Sequence, residues 1–206
     1  MKYLVTDVET GGLKGTSLLS AYFGVLDENL NLLDELELFV RPDNHQYVVT
    51  AEALGINKIN LIEHEKKAIT YKEAGTKLFN FLEVNSSFPK YMIPEGSDIT
   101  KLKLNDHQIG WGIEKLEPLG HNVSFDIIRI KEDLISEGSW LKFVSYRLMD
   151  TGGIGNFLKK QGKIPKEISG SLSSYATHFG VDYTGAHDAK CDCQITVAVF
   201  KEMLKL

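Results

Sequence analysis

The chain has 206 residues, 43% hydrophobic and 25% charged, the proportions of a soluble globular domain able to bury a core without disulfides. Its net charge of −5 excludes a protein that coats long duplex DNA by charge alone, so a nucleic-acid partner is expected to be held locally, at an end and through metal ions. No apolar run is long enough for a membrane span, the N-terminus lacks an apolar signal-peptide region, and Cys191 and Cys193 form neither a disulfide framework nor a zinc site, which together predict a reducing, cytoplasmic setting.

Lys2–Thr10 is a β-type run ending at Gly11-Gly12. On a strand, Asp7 and Glu9 share a face with Val5, while Leu4 and Val8 point the other way. Two carboxylates on a covered strand repel each other and lose hydration unless cations are present. The stretch therefore reads as half of a divalent-metal site, against an edge strand with solvated acids. Leu18–Leu26 reads as a second strand. Leu32–Val40 reads as a third, with Leu32, Leu36, Leu38 and Val40 on one face. Short turns between the three predict an antiparallel meander.

The period then changes. Thr50 caps a short helix through Leu54 that Gly55 ends. Thr70-Tyr71-Lys72-Glu73 is a capping box, opening a helix to about Glu83 with Ala74, Leu78, Phe81 and Leu82 on one face. Between them His64, flanked by Glu63 and Glu65, reads as a solvated surface histidine. Residues 85–117 have loop composition and read as an insertion within one domain spanning 1–206. Lys90–Ile93 and Ile99–Leu104 are expected to pair there as a hairpin, followed by Trp111.

Pro118 weakens a strand expected just before Asn122. Ser124 is read as the N-cap of a helix with Ile127, Ile130 and Leu134 on its stripe, ended by Gly138. Phe143–Met149 reads as a strand, and Asp150 caps a glycine-broken helix to about residue 161. Ser171 caps Leu172–Phe179, with Gly180 as its stop. The last helix begins near Ala186 and buries Cys193, Val197, Phe200 and Leu204.

Four acids and a histidine stand out. Asp7 and Glu9 end the first strand. Asp126 lies in a helix's first turn, where free N–H groups favour an anion. Asp192 and His187 belong to the last helix. Two divalent cations about 4 Å apart clamp a phosphodiester and need several carboxylates; oxygen ligands select Mg²⁺ or Mn²⁺. A histidine beside them takes a proton near neutral pH.

Asp7-Val8-Glu9-Thr10, Asn122-Val123-Ser124-Phe125-Asp126 and His187-Asp188-Ala189-Lys190-Cys191-Asp192 resemble, in order, the three motifs of the DEDDh (DnaQ-like) 3′–5′ exonucleases: D-x-E-T, N-x-x-x-F-D and H-x-A-x-x-D. The resemblance runs from Tyr3 to about Leu204. It implies a ribonuclease H-like fold: a mixed five-stranded sheet with helices on both faces. It implies Asp7, Glu9, Asp126 and Asp192 as ligands of two Mg²⁺ or Mn²⁺ ions and His187 as general base. Thr10, Gly11 and Gly12 would approach the terminal nucleotide, with Leu13 wedged against the last base. Phe125 would pack beneath the site, Asn122 would cap backbone, and both cysteines would be packing residues.

The resemblance implies hydrolysis at single-stranded 3′ ends, DNA first, releasing nucleoside 5′-monophosphates. RNA ends or short oligoribonucleotides are the alternative, and a non-catalytic nucleic-acid-binding module on the same fold is a remote one. A polymerase or another replication or repair protein is the partner such an enzyme would join. Lys159, Lys160, Lys163 and Lys166 form the one dense basic patch, read either as a phosphate contact or as a solvated helix end.

Overall fold

In the computed structural model, which describes residues 1–86 and 114–206, the apolar run Leu18–Leu26 forms β2, buried at every position because it is covered on both faces. β1 (Tyr3–Thr10) and β3 (Leu32–Arg41) flank it antiparallel, the expected meander. β4 (Ile69–Thr70) adds parallel to the end of β3. On the other side β5 (Glu117–Gly120) runs parallel to β1, and β6 (Met149–Asp150) parallel to β5. The order is β4-β3-β2-β1-β5-β6. The sheet is mixed and ribonuclease H-like, with six strands where five were expected; the sixth is β4, and two residues carry no readable period. Pro118 sits inside β5 without cost to the ladder, because pairing to β6 begins only at Leu119.

Eight helices lie among the described residues: α1 (Ala51–Asn57), α2 (Leu61–Lys67), α3 (Tyr71–Asn85), α4 (Ser124–Asp133), α5 (Glu137–Phe143), α6 (Thr151–Lys160), α7 (Leu172–Phe179) and α8 (Ala189–Met203). The pleat of β1 sorts its side chains between two cores. Leu4 and Val8 pack with Leu78 and Leu82 of α3, Ile127 and Ile130 of α4, and Trp140 of α5. Val5, with Tyr22 and Leu119, packs against Cys193 and Phe200 of α8. Beyond α8 a third cluster joins it to α6 and α7 through Leu158, Tyr175 and Val199.

Several expectations are corrected. Phe143 closes α5, and of Phe143–Met149 only Met149 enters a strand. Gly138 does not end α4; it lies in the first turn of α5, which Ser136 caps. Ser124 is the first residue of α4, after a Val123 that makes no side-chain cap. α6 is unbroken despite its glycines, since Asp150 caps it and Gly155 lets Tyr175 approach where a Cβ would lie 2.3 Å from that ring. Leu32 and Leu204 are exposed. His64 is buried, its Nε2 2.7 Å from the Leu19 carbonyl and its Nδ1 3.1 Å from the Tyr47 hydroxyl. The expected hairpin, Trp111 and most of the insertion lie outside the described residues.

Candidate active site

The site forms where β1 outruns β5. The two strands pair only from Tyr3↔Glu117 to Val5↔Leu119, which leaves the Val8 N–H without a strand neighbour on that side. Asp126, in the first turn of α4 and 4% exposed, accepts it through Oδ1 at 3.0 Å. Asp7 and Glu9 continue the face on which Val5 meets α8. Asp192 comes from the first turn of that helix, one turn earlier than the sequence pattern suggests, because α8 begins at Ala189 with Asp188 as its N-cap.

Carboxylate oxygens of Asp7, Glu9 and Asp192 lie within 4.8 Å of one another. Asp126 is not in that trio; its Oδ1 is held by Val8 N–H. It still raises Asp7 through its charge. Burial raises the Asp7 carboxyl well above the usual range, and the negative charges of Asp126, Asp192, Glu9 and Asp188 raise it further. Glu9 is pushed up to about 7 by burial and then by Asp192 and Asp188. Asp126 is also pushed to about 7, by burial, against the lowering effect of the Val8 N–H. Burial raises Asp192 too, while the His187 backbone N–H, 3.2 and 3.3 Å from its two oxygens, lowers it. Acids this crowded and at least half-buried bind protons unless a cation takes their place. The donor set is oxygen only, which fits a hard divalent ion such as Mg²⁺ or Mn²⁺.

His187 arrives differently. It is exposed, on the turn before α8, with φ 73°, a conformation uncommon outside glycine. Asn122, the first residue of the second motif, is also left-handed, with φ 57°. Its N–H donates to Asp150 Oδ1 at 3.1 Å and its carbonyl accepts from Phe125 N–H. Among the described residues its carboxamide caps nothing; Oδ1 lies over Gly152, where a Cβ would be 2.8 Å away.

Beside the acids is a cavity of about 500 Å³, lined by Glu9, Thr10, Gly12 and Leu13 on one side and by α1 on the other. No residue of α1 is buried; Ala53 and Ile56 face the cavity. Leu13 is 86% exposed at its rim. Gly11 is not in the lining. It packs inward, where a Cβ would stand 2.5 Å from the Val48 carbonyl, and its N–H is held by the Ser17 carbonyl at 2.8 Å. Phe125 both packs on the core and lines the cavity. Cys193 is buried beneath the acids and Cys191 is half-buried.

Three polar contributors escaped the sequence reading. Asp188 adds to the field on every acid of the trio; an Asp accepting the Cys191 N–H three residues on is a readable cap signal, though its place beside the acids is not. Asp150 caps α6 as the sequence predicts, but its charge acting on Asp126 is not readable there. Asn57 donates its carboxamide N–H to the Thr10 carbonyl at 3.1 Å and, beside Glu9, holds that carboxyl lower than it would otherwise be; nothing local announces it.

No family model matches the chain, and no curated protein matches it in sequence. Its fold is similar to that of solved exonucleases. One is a structure of exonuclease I described as suggesting how processivity is achieved, at TM-score 0.73 and 17% identity, covering 99% of this chain and 40% of that one. Another is the zinc-ion-bound E. coli ExoI–single-stranded DNA complex, at 0.70 and 17%, covering 99% and 40%. A third is an ExoI/SSB-Ct complex, at 0.69 and 16%, covering 99% and 41%. The chain thus spans about two fifths of their length, and at this identity the likeness shows the fold. No helix among the described residues is long and apolar enough to cross a membrane.

Proposed function

We propose that this chain is a metal-dependent 3′–5′ exonuclease that hydrolyses the terminal phosphodiester of single-stranded DNA and releases nucleoside 5′-monophosphates. The observation that carries this reading is the meeting of Asp7, Glu9 and Asp192 oxygens within 4.8 Å. The cavity lined by Glu9, Thr10, Gly12 and Leu13 adds room for a terminal nucleotide. The likeness to exonuclease I bound to single-stranded DNA supports the same substrate.

Asp7, Glu9, Asp126 and Asp192 would hold two Mg²⁺ or Mn²⁺ ions. Bound there, the ions supply an acidified water and neutralise charge on the phosphate. The chain's own groups do the rest. His187 accepts the proton of the attacking water on a ring nitrogen. The Thr10–Leu13 turn receives the terminal nucleotide, with Leu13 against its base. Partial burial of the acids lowers the local dielectric, which strengthens their hold on cations. The chain acts as one domain with an insertion at about 85–117, in the cytoplasm. Its partners are of the replication and repair class, consistent with the SSB peptide on a similar structure.

The test uses 5′-labelled single-stranded DNA, duplex DNA and RNA with Mg²⁺, Mn²⁺ or chelator. A ladder descending from the 3′ end of the DNA, abolished by chelator, is expected. A ladder on RNA alone would move the substrate to the exoribonuclease alternative. No product on any substrate, with no Mn²⁺ binding by calorimetry, would leave a binding module.

A further inference from the structure

The lysine patch is not absorbed by the site just described. Between Thr151 and Lys166 the chain has four lysines and no acid, within a protein of net charge −5. Asn156, Lys159 and Lys160 stand at i, i+3 and i+4 on α6, one face of the helix. With Lys166 from the following loop they line a concavity of about 360 Å³. Lys160 and Lys166 are exposed and, among the described residues, neither pairs with a carboxylate. Lys159 is positioned by the Ser169 carbonyl at 3.2 Å and by the Tyr175 ring, 4.9 Å below its ammonium. Phe157, one position after Asn156, is a large aromatic left 59% exposed.

Basic groups interleaved with an unburied aromatic are the two parts of a single-strand platform: cations follow the phosphates and a ring takes a base face. An acidic protein tail would explain the lysines but gives Phe157 no planar partner. The placement also fits. The N-terminus of α6 opens at the acids, where Asp150 raises Asp126 and holds the Asn122 N–H. His121 links this end to the loop before α7, with Nδ1 2.9 Å from Thr151 Oγ1 and Nε2 3.0 Å from the Gly170 carbonyl. The ten residues of α6 rise about 15 Å. That is the span of about four stacked nucleotides at ~3.4 Å each.

We infer that the outer face of α6 and the loop to Lys166 form a second, upstream contact for the single strand, with Lys159, Lys160 and Lys166 on its phosphates and Phe157 against one base. This rests on the exonuclease reading and assigns the path of the strand behind the terminal nucleotide.

The decisive comparison sets a long substrate against a minimal one. The p-nitrophenyl ester of thymidine 5′-monophosphate reports the acid cluster alone, since one nucleotide does not span the length of α6 to Lys160 and Lys166. Lys160→Gln with Lys166→Gln, which spares the packed Lys159, is expected to raise KM for a dT oligomer of about 12 nucleotides roughly tenfold. The salt slope of log KM should flatten by about 1.4, at ~0.7 per phosphate contact. Phe157→Ala should cost about tenfold more, the usual loss of one stacked base. Ester hydrolysis should stay at wild-type rate in both variants. An unchanged oligomer KM, an equal loss on the ester, or a loss confined to an acidic peptide would each overturn the inference. Anisotropy of the labelled oligomer in chelator reads the same contact without turnover. Failure of wild-type hydrolysis therefore sinks the exonuclease reading, whereas unchanged binding in the lysine variant sinks this one.

Discussion

Two parts of the candidate site reach the same point by opposite routes. Asp7 and Asp126 are carried by the covered end of β1 and the first turn of α4, and Asp126 is tied to the Val8 N–H at 3.0 Å. His187 and Asp188 stand exposed on a turn, and what aims His187 is one left-handed residue, φ 73°, whose N–H rests on Asp192. On the covered side, position follows from sheet register and helix packing, and the cost is charge crowding. On the exposed side the groups stand in solvent, and position depends on backbone conformation. Damage on the first side should therefore alter stability as well as chemistry. Damage at His187 on the second should alter chemistry alone.

The largest test of that contrast is Asp7→Asn. Removing one central ligand is expected to lower turnover on single-stranded DNA by about 10³-fold or more, the scale of several kcal/mol of lost charge stabilisation. The same variant should melt higher than wild type in chelator, because a neutral amide replaces a carboxyl that burial and four neighbouring acids disfavour as an anion. Unchanged activity would break the site assignment; a lower melting point would break the account of crowding. Next in size is His187→Asn. Asparagine tolerates the left-handed region, so the turn should survive and only the imidazole is lost. Turnover should fall 10²–10⁴-fold, as for a missing general base. The thermal midpoint should stay within about a degree of wild type, as for other surface changes. A marked drop in midpoint would mean that the exposed side also carries structural weight.

The legible parts of this molecule are those whose chemistry is local. Thr70 and Glu73 form both bonds of the capping box read from four letters, and Asp150 and Ser171 cap their helices as read. Gly180 ends α7 left-handed at φ 68°, where an L side chain would be strained. The two-residue spacing of Asp7 and Glu9 is likewise a strand property. What was not legible depends on partners far along the chain. His64 looked solvated between two glutamates, but α2 docks against β3 and carries the ring to Leu19, 45 positions away. Asn57 meets Glu9 only because α1 folds over the Thr10–Leu13 turn. Residues 143–149 carry strand-like side chains, yet Trp140 and Phe143 reach the core on helical spacing, and burial decided the outcome.

The smallest prediction tests the crowding directly, through the dependence of stability on pH. Glu9 and Asp126 titrate near 7 in the folded chain, and Asp7 is also raised; unfolded, all three titrate near 4. Around neutrality the folded protein thus holds protons that the unfolded chain has already released. Stability must then fall as pH rises through the folded-state values. The metal-free thermal midpoint is expected to drop by roughly 5 °C between about pH 6.5 and 8.5, what one to two kcal/mol gives at this size. His64 and His121 act with the opposite sign: burial lowers both, so their effect is a loss of stability below about pH 6.5, outside that window. Added Mn²⁺ should flatten the slope, because a bound cation replaces the protons, and Asp7→Asn should flatten it in chelator. His187→Asn should leave it as it is, since it removes none of the carboxylates that crowd the site. A slope that persists unchanged in Asp7→Asn would place its source outside the acids and remove the electrostatic ground for distinguishing the two sides of the site.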